Sequence, residues 1–162
     1  VHPTSPPGWE ATALGFPRPM IEFLIDTTRT FTALILDGTL SRHRRVRPIV
    51  SHCGGFLPLL ASRLEMFAGA LGASSEGAGV VREVMGRLWY DLAGTPVPLH
   101  AETLAAVAGS EQLLYGSDCN DRVGAGSACQ GAQTIAAIRR LSSSKAIERK
   151  LLYANARRLF RL

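Results

Sequence analysis

His2, His52, Asp91 and Asp118 are the residues of this sequence whose types and placing could do chemistry. His52 comes directly after the β-branched run Ile49-Val50-Ser51, Asp118 follows Tyr115-Gly116-Ser117, and Asp91 ends the run Arg87 to Asp91. Each falls at the C-terminal tip of a predicted strand. In α/β barrels and open α/β sheets that edge carries the site, because side chains at the tips converge on one crevice while the strands hold them rigidly. His2, just ahead of a Pro-rich loop, suits the same kind of position. A neutral imidazole and a carboxylate are good ligands for Zn²⁺ or Mn²⁺, and a catalytic site keeps a coordination position open for water or substrate. Plainer readings stand beside these. His52 next to Gly54-Gly55 also reads as a hydrogen-bonded turn histidine, and Asp118 as a helix cap or turn former.

The elements that must position these residues alternate. Val1 to Pro19 is rich in Pro and Gly and reads as a long loop at the mouth of the site. From Met20 to about Arg42, Ile21, Leu24, Ile25, Phe31, Leu34, Ile35 and Leu40 recur mostly at three- and four-residue steps, which predicts one helix with a buried face. Arg47 to Ser51 reads as a strand ended by Gly54-Gly55, and Pro58 to Gly69 as a helix that opens on an allowed proline. Arg87 to Asp91 is the next strand, and Pro98 to Ala108 the next helix, stopped by Gly109. Gln112 to Gly116 is the third strand, followed by a loop through Gly126 and a helix from about Cys129 to Leu141. A basic amphipathic helix, about Lys145 to Leu162, closes the chain. Such alternation predicts parallel strands joined by helical crossovers.

At 162 residues the chain is one domain, short of the roughly 200 residues at which complete (β/α)8 barrels begin. Hydrophobic residues at 46% and charged residues at 19% describe a folded globular chain. No apolar run approaches the roughly 20 residues of a membrane span, and no signal segment is present, so the sequence reads as cytoplasmic. A start at Val1 rather than Met reads as a processed or truncated chain. The net charge of +5 is concentrated in Arg42 to Arg47 and in Arg157, Arg158 and Arg161. Without interleaved aromatic residues, the first stretch predicts a solvated loop rather than a nucleic-acid platform. Cys53, Cys119 and Cys129 form no C-x-x-C pair and leave one over from any disulfide, which favours a reducing compartment. Cys53 and Cys119 read as small residues packed beside the mouth, and Asp26 with Arg29 as an intrahelical ion pair or an interface contact.

Several motifs occur in a fixed order: His2-Pro3-Thr4, Gly15-Phe16-Pro17-Arg18-Pro19, Phe23 to Arg29, Ser51-His52-Cys53-Gly54-Gly55 with Pro58 and Arg63, Tyr115-Gly116-Ser117-Asp118, and Asn155 to Phe160. Together they resemble the amidohydrolase superfamily, in its decarboxylase branch. That branch includes aminocarboxymuconate semialdehyde, γ-resorcylate and 6-methylsalicylate decarboxylases. The resemblance implies the C-terminal half of a (β/α)8 barrel, strands five or six to eight with their helices, as one partial domain over residues 1–162. It implies that His2 after strand five and Asp118 after strand eight bind the metal, Zn²⁺ or alternatively Mn²⁺. His52, after strand six, would be catalytic, with Asp118 donating a proton to the ring carbon of an aromatic or related unsaturated carboxylic acid. Arg63 would pair with a substrate carboxylate, in some relatives that of a neighbouring subunit, which implies a homodimer.

The sequence departs from the family in two places. It has no His-x-His or Glu-x-His pair of the kind that supplies the first metal ligands after strand one. His43 and His100 lie near helix ends instead. Cys119-Asn120-Asp121 replaces the family's Tyr/Phe-Pro-Phe after the aspartate. The N-terminal half is thus expected to be absent and the chain inactive alone. Three readings follow: part of a metal-dependent decarboxylase, a hydrolase of a lactone or amide in the same superfamily, or a non-catalytic remnant that self-associates through exposed strand edges.

Overall fold

Three short parallel strands carry the fold in the order β1-β2-β3: β1 is Ile49–Val50, β2 Trp89–Asp91 and β3 Leu113–Leu114. The structure is a computed structural model that describes residues 1–71, 79–94, 98–119 and 129–162. The register sets Val50 opposite Tyr90 and Tyr90 opposite Leu113, so one row of side chains faces the helices. These three residues join Phe31, Ile35, Leu57, Met85 and Leu104 in one core. The alternate row, Ile49, Trp89 and Leu114, packs on the opposite face with Leu159 and Ala156. Burial on both faces is what a parallel sheet needs, and it explains the nearly continuous apolar runs in these strands.

The crossover helices are α1 (Glu22–Leu36), α2 (Thr39–Arg42), α3 (Leu57–Ala70), α4 (Val80–Met85), α5 (Leu99–Ala108) and α6 (Gly131–Leu141). α7 (Lys145–Arg149), a π-helical turn over Lys150–Ala154 and α8 (Asn155–Phe160) end the chain. Complete burial of a side chain such as Leu104 or Phe31 stabilises the fold by about 1.5–3 kcal/mol each. Among the described residues, no helix is long and apolar enough to cross a membrane.

The observed elements correct several expectations. The predicted helix from Met20 to Arg42 is broken, because Gly38 adopts φ 75° and its amide turns back to Ile35, a left-handed stop that starts α2 afresh. The predicted C-terminal helix likewise divides at the π turn, where the Leu151 carbonyl accepts the Tyr115 amide. α4 was not anticipated. Asp26 accepts the Thr4 amide at 2.9 Å, tying the opening loop to α1, and makes no ion pair with Arg29 among the described residues. The loop expected through Gly126, with Asn120 and Asp121, lies outside the described residues. Arg42 to Arg47 are exposed, as a solvated loop should be, with Arg44 paired to Glu83.

Candidate active site

The chain leaves β1 through four consecutive residues of positive φ: His52 at 54°, Cys53 at 55°, Gly54 at 79° and Gly55 at 60°. The two glycines have no substitute here. A β-carbon on Gly54 would lie 3.0 Å from the Tyr90 ring, and one on Gly55 would lie 2.5 Å from the Leu24 carbonyl oxygen. His52 and Cys53 hold this backbone against a cost of about 1–3 kcal/mol each, so the surrounding contacts must impose it. Asp91, at the tip of β2, supplies one such contact: its Oδ1 accepts the His52 amide at 2.9 Å and the Ala93 amide at 3.2 Å. Thr28 of α1 supplies another by accepting the Phe56 amide at 2.8 Å. Asp118 has φ 49°, so three of the four non-glycine residues with positive φ, among those described, lie at these strand tips.

His52 and Asp118 face a common point. A β-carbon on Gly94 would stand 3.2 Å from His52 Nδ1 and 3.9 Å from Asp118 Oδ2. His52 Nδ1 is buried and, among the described residues, has no hydrogen-bond partner. Gly116 lets β3 come close enough to set up this arrangement, because a β-carbon there would meet Asp91 Cβ at 3.2 Å and Ala93 Cβ at 3.1 Å. His2 joins from the opening segment. Its ring lies edge-on to His52 with centroids 5.5 Å apart, and the segment is anchored beside β1 by Val1 N to Ile49 O at 2.8 Å and Ser51 Oγ to Val1 O at 2.6 Å.

The donor types fit a divalent ion in part. The Pro3 carbonyl can only accept, so His2 Nδ1 carries the proton that it donates there at 2.8 Å, leaving the Nε2 lone pair for a ligand. Asp118 is exposed and offers carboxylate oxygens. Among the described residues, no group of three or more His, Cys, Asp or Glu side chains is arranged to hold an ion, so any metal held by His2 and Asp118 needs further ligands.

The structure thus brings His2, His52 and Asp118 together, but not Arg63. Arg63 is exposed on α3 with its guanidinium 5.2 Å from the Phe67 ring centroid, and makes no hydrogen bond or ion pair to the other three among the described residues. Cys53 is buried as expected, and burial pushes its thiol well above the ordinary range, with the Asp91 charge adding to the effect. It therefore stays a neutral packing group. Cys119 departs from expectation: it is exposed and forms a disulfide with Cys129. The two α-carbons lie 4.7 Å apart, within the range that a disulfide spans.

Sequence reasoning missed His100. In the first turn of α5, it places Nε2 2.5 Å from the Gly55 carbonyl oxygen. Burial holds its pKa below the ordinary value; the Gly55 hydrogen bond opposes that shift and the neighbouring His52 reinforces it.

Residues 6–162 match the amidohydrolase family. A 6-methylsalicylic acid decarboxylase from Aspergillus aculeatus is 32% identical over 125 residues, 73% of this chain and 37% of the relative. An amidohydrolase II crystal structure superposes with a TM-score of 0.83 at 26% identity, over 99% of this chain and 50% of the other. A dihydroxybenzoic acid decarboxylase from Polaromonas, solved with manganese and the inhibitor 2-nitroresorcinol, superposes with a TM-score of 0.77 at 17% identity, over 100% of this chain and 49% of the other. The chain belongs to the amidohydrolase family, and its three-stranded parallel sheet with flanking helices matches about half of those structures. It spans 37% of the length of the decarboxylase relative and about half of the solved structures.

Proposed function

We propose that this chain is the C-terminal half of a metal-dependent (β/α)8 barrel that decarboxylates an aromatic or related unsaturated carboxylic acid without an oxidant. The observation that carries this reading is the convergence of His52 Nδ1 and Asp118 Oδ2 at Gly94 on the C-terminal edge of the sheet. The 6-methylsalicylic acid decarboxylase relative supports the reaction class, and the manganese in the Polaromonas structure supports a divalent ion. The backbone contact of Val1 with β1 supports reading the opening residues as the tip of strand five.

His2, through Nε2, and Asp118 would hold the ion, zinc or manganese, together with ligands from the rest of the barrel. When bound, the ion would neutralise and align the hydroxyl and carboxylate of the acid. Asp118 would deliver a proton to the ring carbon that bears the carboxylate. The bond from that carbon to the carboxylate then breaks, its electron pair restores the aromatic ring, carbon dioxide leaves, and the proton remains as the new C–H. His52 would hold the substrate or a water beside Asp118. In a homodimer, Arg63 would serve the carboxylate of the acid bound in a neighbouring subunit; its exposure leaves it available for that contact.

The experiment is to express the full-length protein that contains this chain, load it with Zn²⁺ or Mn²⁺, and assay carbon dioxide release from 6-methylsalicylate and other hydroxybenzoates. Release that disappears in His52→Ala and Asp118→Asn supports the reading. Turnover of lactones or amides without carbon dioxide release would replace it with the hydrolytic one.

A further inference from the structure

The backbone that presents His52 is held from three sides, and only two of the holds belong to residues with an evident structural reason to be polar. Asp91 accepts the His52 amide, and Thr28 accepts the Phe56 amide while donating its own hydroxyl proton to Leu24 O at 2.6 Å. The third comes from His100 on α5, which reaches across 45 residues of sequence to Gly55. A carbonyl oxygen only accepts, so His100 Nε2 must carry a proton in this contact. The side chain is half-buried and near enough to His52 for that imidazole to disfavour its charge. An apolar residue would pack at this place with less desolvation. A histidine placed here adds a directed hydrogen bond to a short 3-10 turn of positive-φ residues, whose own backbone bonds run from Gly54 N to Ser51 O and from Gly55 N to His52 O.

From this contact we infer that His100 is a positioning residue for the proposed reaction: its Nε2–H holds the Gly54-Gly55 turn so that the His52 ring stays aimed at Gly94 and Asp118. His100 touches neither substrate nor reacting atoms in this role. It acts through the Gly55 carbonyl, and its loss would let the His52 ring drift from the crevice while the fold and the metal-binding residues persist. The inference rests on the decarboxylase reading for its effect on rate but not for its effect on His52.

The test uses the full-length enzyme with ¹⁵N-labelled histidine, as wild type, His100→Ala and His100→Gln; Gln carries an N–H donor at about the same reach as Nε2. In the wild type, His100 is expected as the Nε2–H tautomer. In His100→Ala the His52 ring resonances shift and kcat falls on the order of 100-fold, the scale of a misplacement of about 1 Å, with KM and metal content within about threefold. His100→Gln recovers most of the rate and returns the His52 resonances toward their wild-type positions. An Nδ1–H tautomer in the wild type, unchanged His52 resonances in His100→Ala, or a Gln variant as impaired as Ala would each overturn the inference. If the wild type releases no carbon dioxide, the decarboxylase reading fails, while the tautomer and the His52 resonances still decide the role of His100.

Discussion

His52 Nδ1 and Asp118 Oδ2 meet across a glycine: both lie within 4 Å of the point that a β-carbon on Gly94 would occupy. They come from the tips of different strands, 66 positions apart in sequence, and Gly94 itself follows β2, the strand between them. The empty side of that glycine is therefore part of the site.

Gly94→Ala should damage activity more than stability. At φ 72° the new side chain costs about 1–2 kcal/mol of backbone strain. Its methyl group also presses on both site residues, so kcat/KM should fall on the order of 100-fold. Steady-state kinetics alongside urea unfolding measure the two effects separately. A variant with full activity would mean that the space beside Gly94 is not used.

Metal binding and catalysis should separate by residue. His2→Ala should weaken retention of Zn²⁺ or Mn²⁺ by at least about 100-fold, since loss of a ligand should cost no less than loss of a second-shell partner. His52→Asn should keep its metal and lose on the order of 10²–10⁴ in kcat. Metal analysis of the purified full-length variants, paired with turnover, checks both.

Asn155 ties the end of the chain to the sheet. Its buried Nδ2 donates to Ser110 O at 2.9 Å and to Leu113 O at 2.8 Å. Asn155→Ala leaves both carbonyls without that donor and should cost about 2–3 kcal/mol, read as a lower urea midpoint at unchanged slope.

Acid should loosen the C-terminal helices. Hydrogen bonds from Lys150 and then Arg158, with the charges of both, hold the Glu111 carboxyl below its ordinary value of 4.5. A carboxylate with a depressed folded-state pKa stabilises the fold fully above the unfolded value and loses that contribution as pH falls through the folded one. Protection factors over residues 145–160, corrected for the intrinsic exchange rate at each pH, should therefore fall as the pH drops below 4.5. Glu111→Gln should flatten that dependence. The group is exposed, so added salt should weaken the effect as well.

The strands were legible because short apolar runs followed closely by His, Asp or Gly have few other readings. Ile49-Val50 before His52, and Leu113-Leu114 shortly before Gly116 and Asp118, stand where the sequence predicts strands and strand tips. Helix boundaries were less legible. Apolar periodicity runs through Gly38 without a break, although that glycine ends α1, and the π turn over Lys150–Ala154 keeps an apolar pattern compatible with a regular helix. Arg63 and His100 show the limits at the site. Resemblance assigns Arg63 to a substrate carboxylate, in some relatives a neighbouring subunit's, and among the described residues of one chain its guanidinium stacks on Phe67. His100 read as a helix-end residue because its partner is a backbone carbonyl, and a carbonyl leaves no mark in sequence. The Cys119–Cys129 bond was missed because a ten-residue spacing carries no geometry until the loop is folded.

In the proposed reaction the site around His52 and Asp118 protonates a ring carbon and releases its carboxylate. Turnover of 6-methylsalicylate in D₂O by the full-length enzyme, followed by mass spectrometry and NMR of the product, tests it most directly. One deuterium is expected at the carbon that carried the carboxylate, with one equivalent of carbon dioxide, and neither product with Asp118→Asn. Carbon dioxide release undiminished in Asp118→Asn, or a product that retains the carboxylate, would contradict it.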